Sequence, residues 1–142
     1  MCKLVSYADG KKVADIKLKH IKNITEQAEK TKNISRIVLF GSSIEERCTD
    51  SSDIDIAVFG IKSKGSYIDS KEFRDFKSGI FCFDLEQDYD VLYFKENADN
   101  SDGIMNDINT GIEIFRRDAS TTNILKHFWH PQTQYLCRSA GI

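Results

Sequence analysis

Arg36-Ile37-Val38-Leu39-Phe40-Gly41-Ser42-Ser43, then Ser52-Asp53-Ile54-Asp55-Ile56-Ala57-Val58-Phe59, decides how this chain is read. The first stretch is apolar and β-branched up to Phe40, the pattern of a buried strand, and it runs straight into Gly-Ser. Gly41 has no Cβ, so another backbone or a phosphate can approach closely there. The Ser42 hydroxyl and the amides after it offer donors to phosphate oxygens. One helical turn expected over 43–48 would aim its N-terminus at the same place. In the second stretch Asp53 and Asp55 are two apart on a strand. Their side chains then share a face, with Cα atoms about 7 Å apart. Two such carboxylates repel unless a cation lies between them. An all-oxygen pair suits magnesium, which takes one or two carboxylates together with phosphate oxygens and water. A Gly-Ser cradle beside paired aspartates makes a nucleoside triphosphate the natural ligand.

Working outward, Lys3 to Tyr7 predicts a short strand, and Asp9-Gly10 predicts a hairpin turn back into 11–14. A helix capped by Asp15 is expected to run to about Lys30, with Leu18, Ile21, Ile24 and Ala28 on one face. A second helix is expected over 70–84, capped by Asp69 or Ser70, with Phe73, Phe76, Ile80 and Phe83 as its core stripe. Tyr89 to Phe94 predicts a strand, 101–109 a short helix and Gly111 to Phe115 a last strand. Strands alternating with helices predict an α/β layer structure. Residues 118–142 read as a tail or irregular helix. A third carboxylate completes a two-metal site when it lies on a neighbouring strand. Asp90 fits, because apolar residues follow it as they follow Asp53 and Asp55. Asp84 and Asp88 lie nearby, and Asp88 shares the strand parity of Asp90.

Composition narrows the function. The 142 residues suit one domain, and 40% apolar with 11% aromatic content is globular rather than disordered. The apolar runs are too short to span a bilayer and no signal-peptide pattern is visible, so a cytoplasmic protein with no membrane partner is expected. The 20 basic and 22 acidic side chains leave a net charge of −2, which disfavours generic DNA binding. Cys2, Cys48, Cys82 and Cys137 form no C-x-x-C pair, so zinc and thioredoxin-type sites are not indicated and reduced thiols are expected. Cys48 has no histidine near it in sequence and reads as a small filler rather than a nucleophile.

Gly41-Ser42, ten residues, then Asp53-Ile54-Asp55 resembles the signature of the DNA polymerase beta-like nucleotidyltransferase superfamily. The match is closest to its minimal nucleotidyltransferases, the antitoxin-like type, and covers roughly residues 15–116. The resemblance implies a short mixed β-sheet with helices packed on it, a nucleotidyltransferase domain over 1–117 and a tail or partner-contact segment over 118–142. It implies that Asp53 and Asp55 bind nucleotide-associated Mg2+. Asp90 would help hold a second Mg2+ and activate the acceptor hydroxyl, and Gly41 and Ser42 would contact the outer phosphates. The reaction would move a nucleoside monophosphate, AMP from ATP, onto a hydroxyl of a protein or other acceptor. The implied partner is a helical protein of the HEPN type, in a toxin-antitoxin pair. Small members often carry arginines directly after Gly-Ser. Here the positions read Ser43, Ile44, Glu45 and Glu46, with Arg47 the nearest arginine. The alternative is therefore a binding module that neutralises its partner by contact.

Other residues have quieter readings. Asp50-Ser51-Ser52-Asp53 resembles the start of a calcium loop, but Ile54 occupies a ligand position and the central glycine is absent. His20 is expected at the surface or its boundary. His127, Trp129 and His130 suggest packing or partner contact ahead of a metal pair. Lys62 and Lys64 read as solvated, with phosphate or acceptor binding as the sharper reading.

Overall fold

The apolar run around Phe40 becomes the second strand in from one edge of a four-stranded sheet. A computed structural model of the chain describes residues 2–8, 10–98 and 103–117. The strands are β1 (Leu4–Ala8), β2 (Lys11–Ala14), β3 (Ile34–Phe40), β4 (Ile54–Gly60), β5 (Tyr89–Lys95) and β6 (Ile112–Arg116). The helices are α1 (Leu18–Glu29), α2 (Lys64–Tyr67), α3 (Lys71–Phe81) and α4 (Met105–Asn109). β1 and β2 form a separate antiparallel hairpin, and the main sheet has the order β5-β4-β3-β6. β4 and β6 run antiparallel to β3, while β5 runs parallel to β4. The sheet is thus short and mixed, as expected.

Strand alternation divides the two faces. Ile37, Leu39, Ile54, Ile56, Val58 and Tyr93 turn toward α1 and α3 and form the main core. Each side chain of this kind that is fully buried contributes about 1.5–3 kcal/mol. Helix α3 begins where its cap predicts: Phe73 N donates to Ser70 Oγ at 3.1 Å. Phe73, Phe76 and Ile80 are buried along one face of α3. The helix stops at Phe81, however, and Phe83 lies beyond it, 47% exposed, outside the core stripe. The opposite sheet face carries a smaller cluster of Val38, Phe40, Ala57, Phe59 and Phe94, met by Ile108 from α4. Among the described helices only α4 joins this cluster.

At the far end of the sheet the chain is tied down by Arg117. Its Nε donates to Ile34 O at 2.9 Å and its Nη2 to Ala28 O at 2.7 Å and Thr31 O at 3.2 Å. A cation on the last carbonyls of α1 complements that helix end. Asp15 does not cap α1. It sits in a 3-10 turn (Asp15–Lys17), and its carboxylate accepts from Lys3 N at 3.1 Å, tying down the start of the hairpin. The tail over 118–142, with His127, Trp129, His130 and Cys137, lies outside the described residues.

Candidate active site

The site is assembled at the end of the sheet where β3 finishes and β4 and β5 begin. Phe40 pairs with Asp55, and Asp55 is the register partner of Asp90 across the parallel β4–β5 ladder. Neighbouring strands are about 4.8 Å apart, and paired residues project to the same side. That side is the face of the smaller cluster, since Asp55 shares its strand parity with Ala57 and Phe59, and Asp90 with Leu92 and Phe94. Asp53 lies just before β4, exposed, as is Asp90, while Asp55 is half-buried between them. Burial, followed by the charges of Asp90 and Asp53, pushes the Asp55 carboxyl above its usual range. The structure therefore brings Asp53, Asp55 and Asp90 into one electrostatic cluster.

The two other candidate aspartates both precede β5. Asp88 precedes β5, and its backbone carbonyl accepts from Ile54 N at 3.0 Å. Asp84 accepts from His20, Nε2 to Oδ2 at 2.9 Å, and this bond holds its carboxyl below the usual range. His20 itself is 4% exposed and meets the edges of Phe83 and Tyr89, so it is interior rather than a boundary residue. Its helical position pointed to the α1 surface; the Asp84 bond satisfies Nε2, while Nδ1 is buried with no partner among the described residues.

After Phe40 the chain makes a 3-10 turn (Gly41–Ile44) in place of the helical turn expected over 43–48. Gly41 adopts φ +75°, a conformation that disfavours a side chain. A Cβ there would also overlap Asp55 Oδ2. The close approach that Gly41 permits is thus made by the Asp55 carboxylate. Ser42 is half-buried, and its Oγ donates over a long 3.4 Å to Asp53 O, which joins the turn to the Asp-x-Asp segment. Ser43 is fully buried with its hydroxyl unpaired among the described residues, so the turn presents Ser42 outward. Glu45, Glu46 and Arg47 are exposed, and Arg47 Nε pairs with Glu45 Oε1 at 2.8 Å.

The donor set suits a hard divalent cation: oxygen ligands only, concentrated negative charge and one carboxyl already driven toward holding a proton. Among the described residues no three His, Cys, Asp or Glu side chains already surround an ion position. Sharing an ion therefore requires the exposed Asp53 and Asp90 side chains to rotate, a small cost at solvent-facing positions. Lys62 and Lys64 lie past Gly60, at the other end of β4, about 16 Å along the strand from Asp55. They stand outside the site. Cys48 is fully buried, and burial pushes its thiol up, which suits the filler reading.

Two site residues had no signal in the motif. Lys17 is only 1% exposed, and Gln87 only 7%. Both reach the backbone just before Asp53. A lysine near a helix start reads as solvated, and nothing local distinguishes this one.

The mixed four-stranded sheet with α1 and α3 packed on one face makes this an α/β domain. More specifically, it belongs to the Polymerase beta, Nucleotidyltransferase family, whose model matches residues 22–120. No curated protein matches the chain. A protein of Sulfolobus solfataricus assigned as a nucleotidyltransferase aligns at 17% identity over 72% of this chain and 86% of that one. Its TM-score of 0.45 is too low to add to the family assignment. Among the described residues no helix is long and apolar enough to cross a membrane.

Proposed function

We propose that this domain is a Mg2+-dependent nucleotidyltransferase that moves AMP from ATP onto a hydroxyl of a protein or other acceptor. The observation that carries the reading is the register pairing of Asp55 with Asp90, with Asp53, two residues earlier in the chain, near enough for its charge to raise the Asp55 carboxyl. Asp53 and Asp55 would hold the nucleotide-associated ion, and Asp90 would join Asp55 on a second. Magnesium bound there would offset charge on the phosphates and on the entering and leaving oxygens. Asp90 would accept the proton of the attacking hydroxyl; its exposure at the strand start supports that role. Ser42 and the Gly41 turn border the same cluster and would orient the outer phosphates. A helical partner protein of the HEPN type is the proposed acceptor, in a cytoplasmic toxin-antitoxin pair.

One observation favours a second reading. The residues after Gly-Ser expose Glu45 and Glu46, and the one arginine there is paired to Glu45. A binding module that neutralises its partner by contact needs no triphosphate at this turn. Incubation with α-labelled ATP, Mg2+ and candidate partners separates the two. Label transfer that disappears in Asp53→Ala supports the enzyme. Partner neutralisation that survives Asp53→Ala, with no label transferred by the wild type, supports the binder.

A further inference from the structure

We propose that Lys17 is a positioning residue: its buried ammonium clamps the loop bearing Asp53 to the segment that leads into Asp90, and so sets the spacing of the carboxylates for a divalent cation. The inference rests on the metal-site reading above.

Lys17 ends the 3-10 turn (Asp15–Lys17), and its side chain runs inward beneath the Asp-x-Asp loop. Nζ donates to Asp50 O at 3.2 Å, to Ser52 O at 2.8 Å and to Gln87 Oε1 at 2.6 Å. An ammonium has three protons, and each finds one acceptor. Burying a charge is costly unless it is fully hydrogen-bonded, so a lysine 1% exposed is retained only where its bonds are all made. A neutral side chain of this reach cannot offer three diverging donors. Gln87 extends the clamp. Its Nε2 donates to Ser52 O at 3.0 Å and to Asp88 O at 2.7 Å. Asp88 O in turn accepts from Ile54 N at 3.0 Å. Ser52 and Ile54 flank Asp53, and Asp88 lies two residues before Asp90. Both sides of the carboxylate cluster are therefore held to one buried cation from outside the motif.

Rotating Asp53 and Asp90 onto a shared ion works only if their backbones are fixed at the right separation. With Lys17 removed, Asp50 O and Gln87 Oε1 lose their donor, Ser52 O keeps only Gln87 Nε2, and the 49–53 loop is tied to the segment before β5 by Gln87 without the cation that fixes Gln87 in place. Partners that orient metal ligands typically change affinity about tenfold or more when lost.

The test uses Mn2+ as the probe, with binding followed by electron paramagnetic resonance on the full chain. The variants are Lys17→Met, Gln87→Met, Asp55→Asn and Ser70→Ala, each checked for folding by circular dichroism. Ser70→Ala loosens the fold at the α3 cap, far from the loop, and controls for general destabilisation. The expected result is Mn2+ binding abolished in Asp55→Asn and weakened about tenfold or more in Lys17→Met and Gln87→Met. Ser70→Ala keeps wild-type affinity, and amide exchange over 49–54 quickens in Lys17→Met. Should Lys17→Met not fold, Gln87→Met carries the same reading. Wild-type Mn2+ affinity in the folded Lys17 or Gln87 variant, with binding lost in Asp55→Asn, overturns the clamp and leaves the metal site standing. Equal weakening in Ser70→Ala also overturns it. Equal binding by the wild type and Asp55→Asn removes the metal site itself, and the clamp with it.

Discussion

Gly41 and Asp55 share one volume: the space a Cβ on Gly41 would fill holds Asp55 Oδ2. The glycine of the turn and the central carboxylate of the cluster are therefore one unit. Strand pairing enforces it, because Phe40, immediately before Gly41, is the register partner of Asp55.

Two glycines at nearly the same φ separate strain from collision. Gly10 lies at φ +76° with nothing within 4 Å of where a Cβ would stand, whereas Gly41 at φ +75° meets Asp55. Gly10→Ala is expected to cost about 1 kcal/mol, the left-handed backbone alone. Gly41→Ala is expected to cost about 3 kcal/mol, with the overlap added, and to displace the Asp55 carboxylate. Urea denaturation gives the energies. Mn2+ affinity then separates the sites: Gly10→Ala retains it and Gly41→Ala loses it.

The raised Asp55 carboxyl fixes the direction of a pH effect. A folded-state value above the unfolded one means that the folded protein holds the proton more tightly. The associated stability is present below about pH 4, the ordinary aspartate range, and is lost as pH rises through the folded value. In EDTA at neutral pH, Asp55→Asn is therefore expected to melt a few degrees above the wild type, and the gap should close toward pH 4. Magnesium should raise the Tm of the wild type and not of Asp55→Asn. Thermal scans across pH, with and without the ion, test both halves.

The Ser70 cap is a structural device remote from the carboxylates. Ser70→Ala is expected to cost about 1 kcal/mol, because Phe73 N loses its acceptor at the start of α3. Label transfer from ATP should be unchanged at temperatures where the variant is folded. A fall in transfer without a fall in stability would count against the separation of cap and site.

The thiols should differ in reactivity. Cys82 is exposed, whereas Cys48 is fully buried and its thiol is pushed up by that burial. Brief iodoacetamide treatment followed by peptide mass mapping should find Cys82 modified in the folded protein and Cys48 modified only in denaturant. Label transfer should survive alkylation of Cys82. Early modification of Cys48 would contradict its place in the core.

Much of the fold is legible in local pattern. The β-branched runs at 36–40 and 54–59, the Phe73–Phe76–Ile80 stripe and the Ser70 cap each carry their signal within a few residues, and each element forms where expected. Element ends are less legible. Asp53 falls outside β4, the turn after Gly41 is 3-10 rather than α, and α3 stops before Phe83, because ends depend on what packs beyond them. The His20–Asp84 bond has no local signal at all. Its partners are 64 residues apart in the chain, and neither position announces the other.

By itself the sequence determined which residues were candidates to meet: a two-residue strand period offered Asp53 and Asp55 as a pair, and Gly41 marked the turn before them as a place of close approach. Which third carboxylate joins them was decided by the parallel register of β4 and β5, which sets Asp90 against Asp55 and leaves Asp88 before the strand. The inward course of Lys17 was decided in the same way. Register and burial are properties of segments far apart in the chain, so the free energy that fixes them exists only once the sheet and its helices have packed.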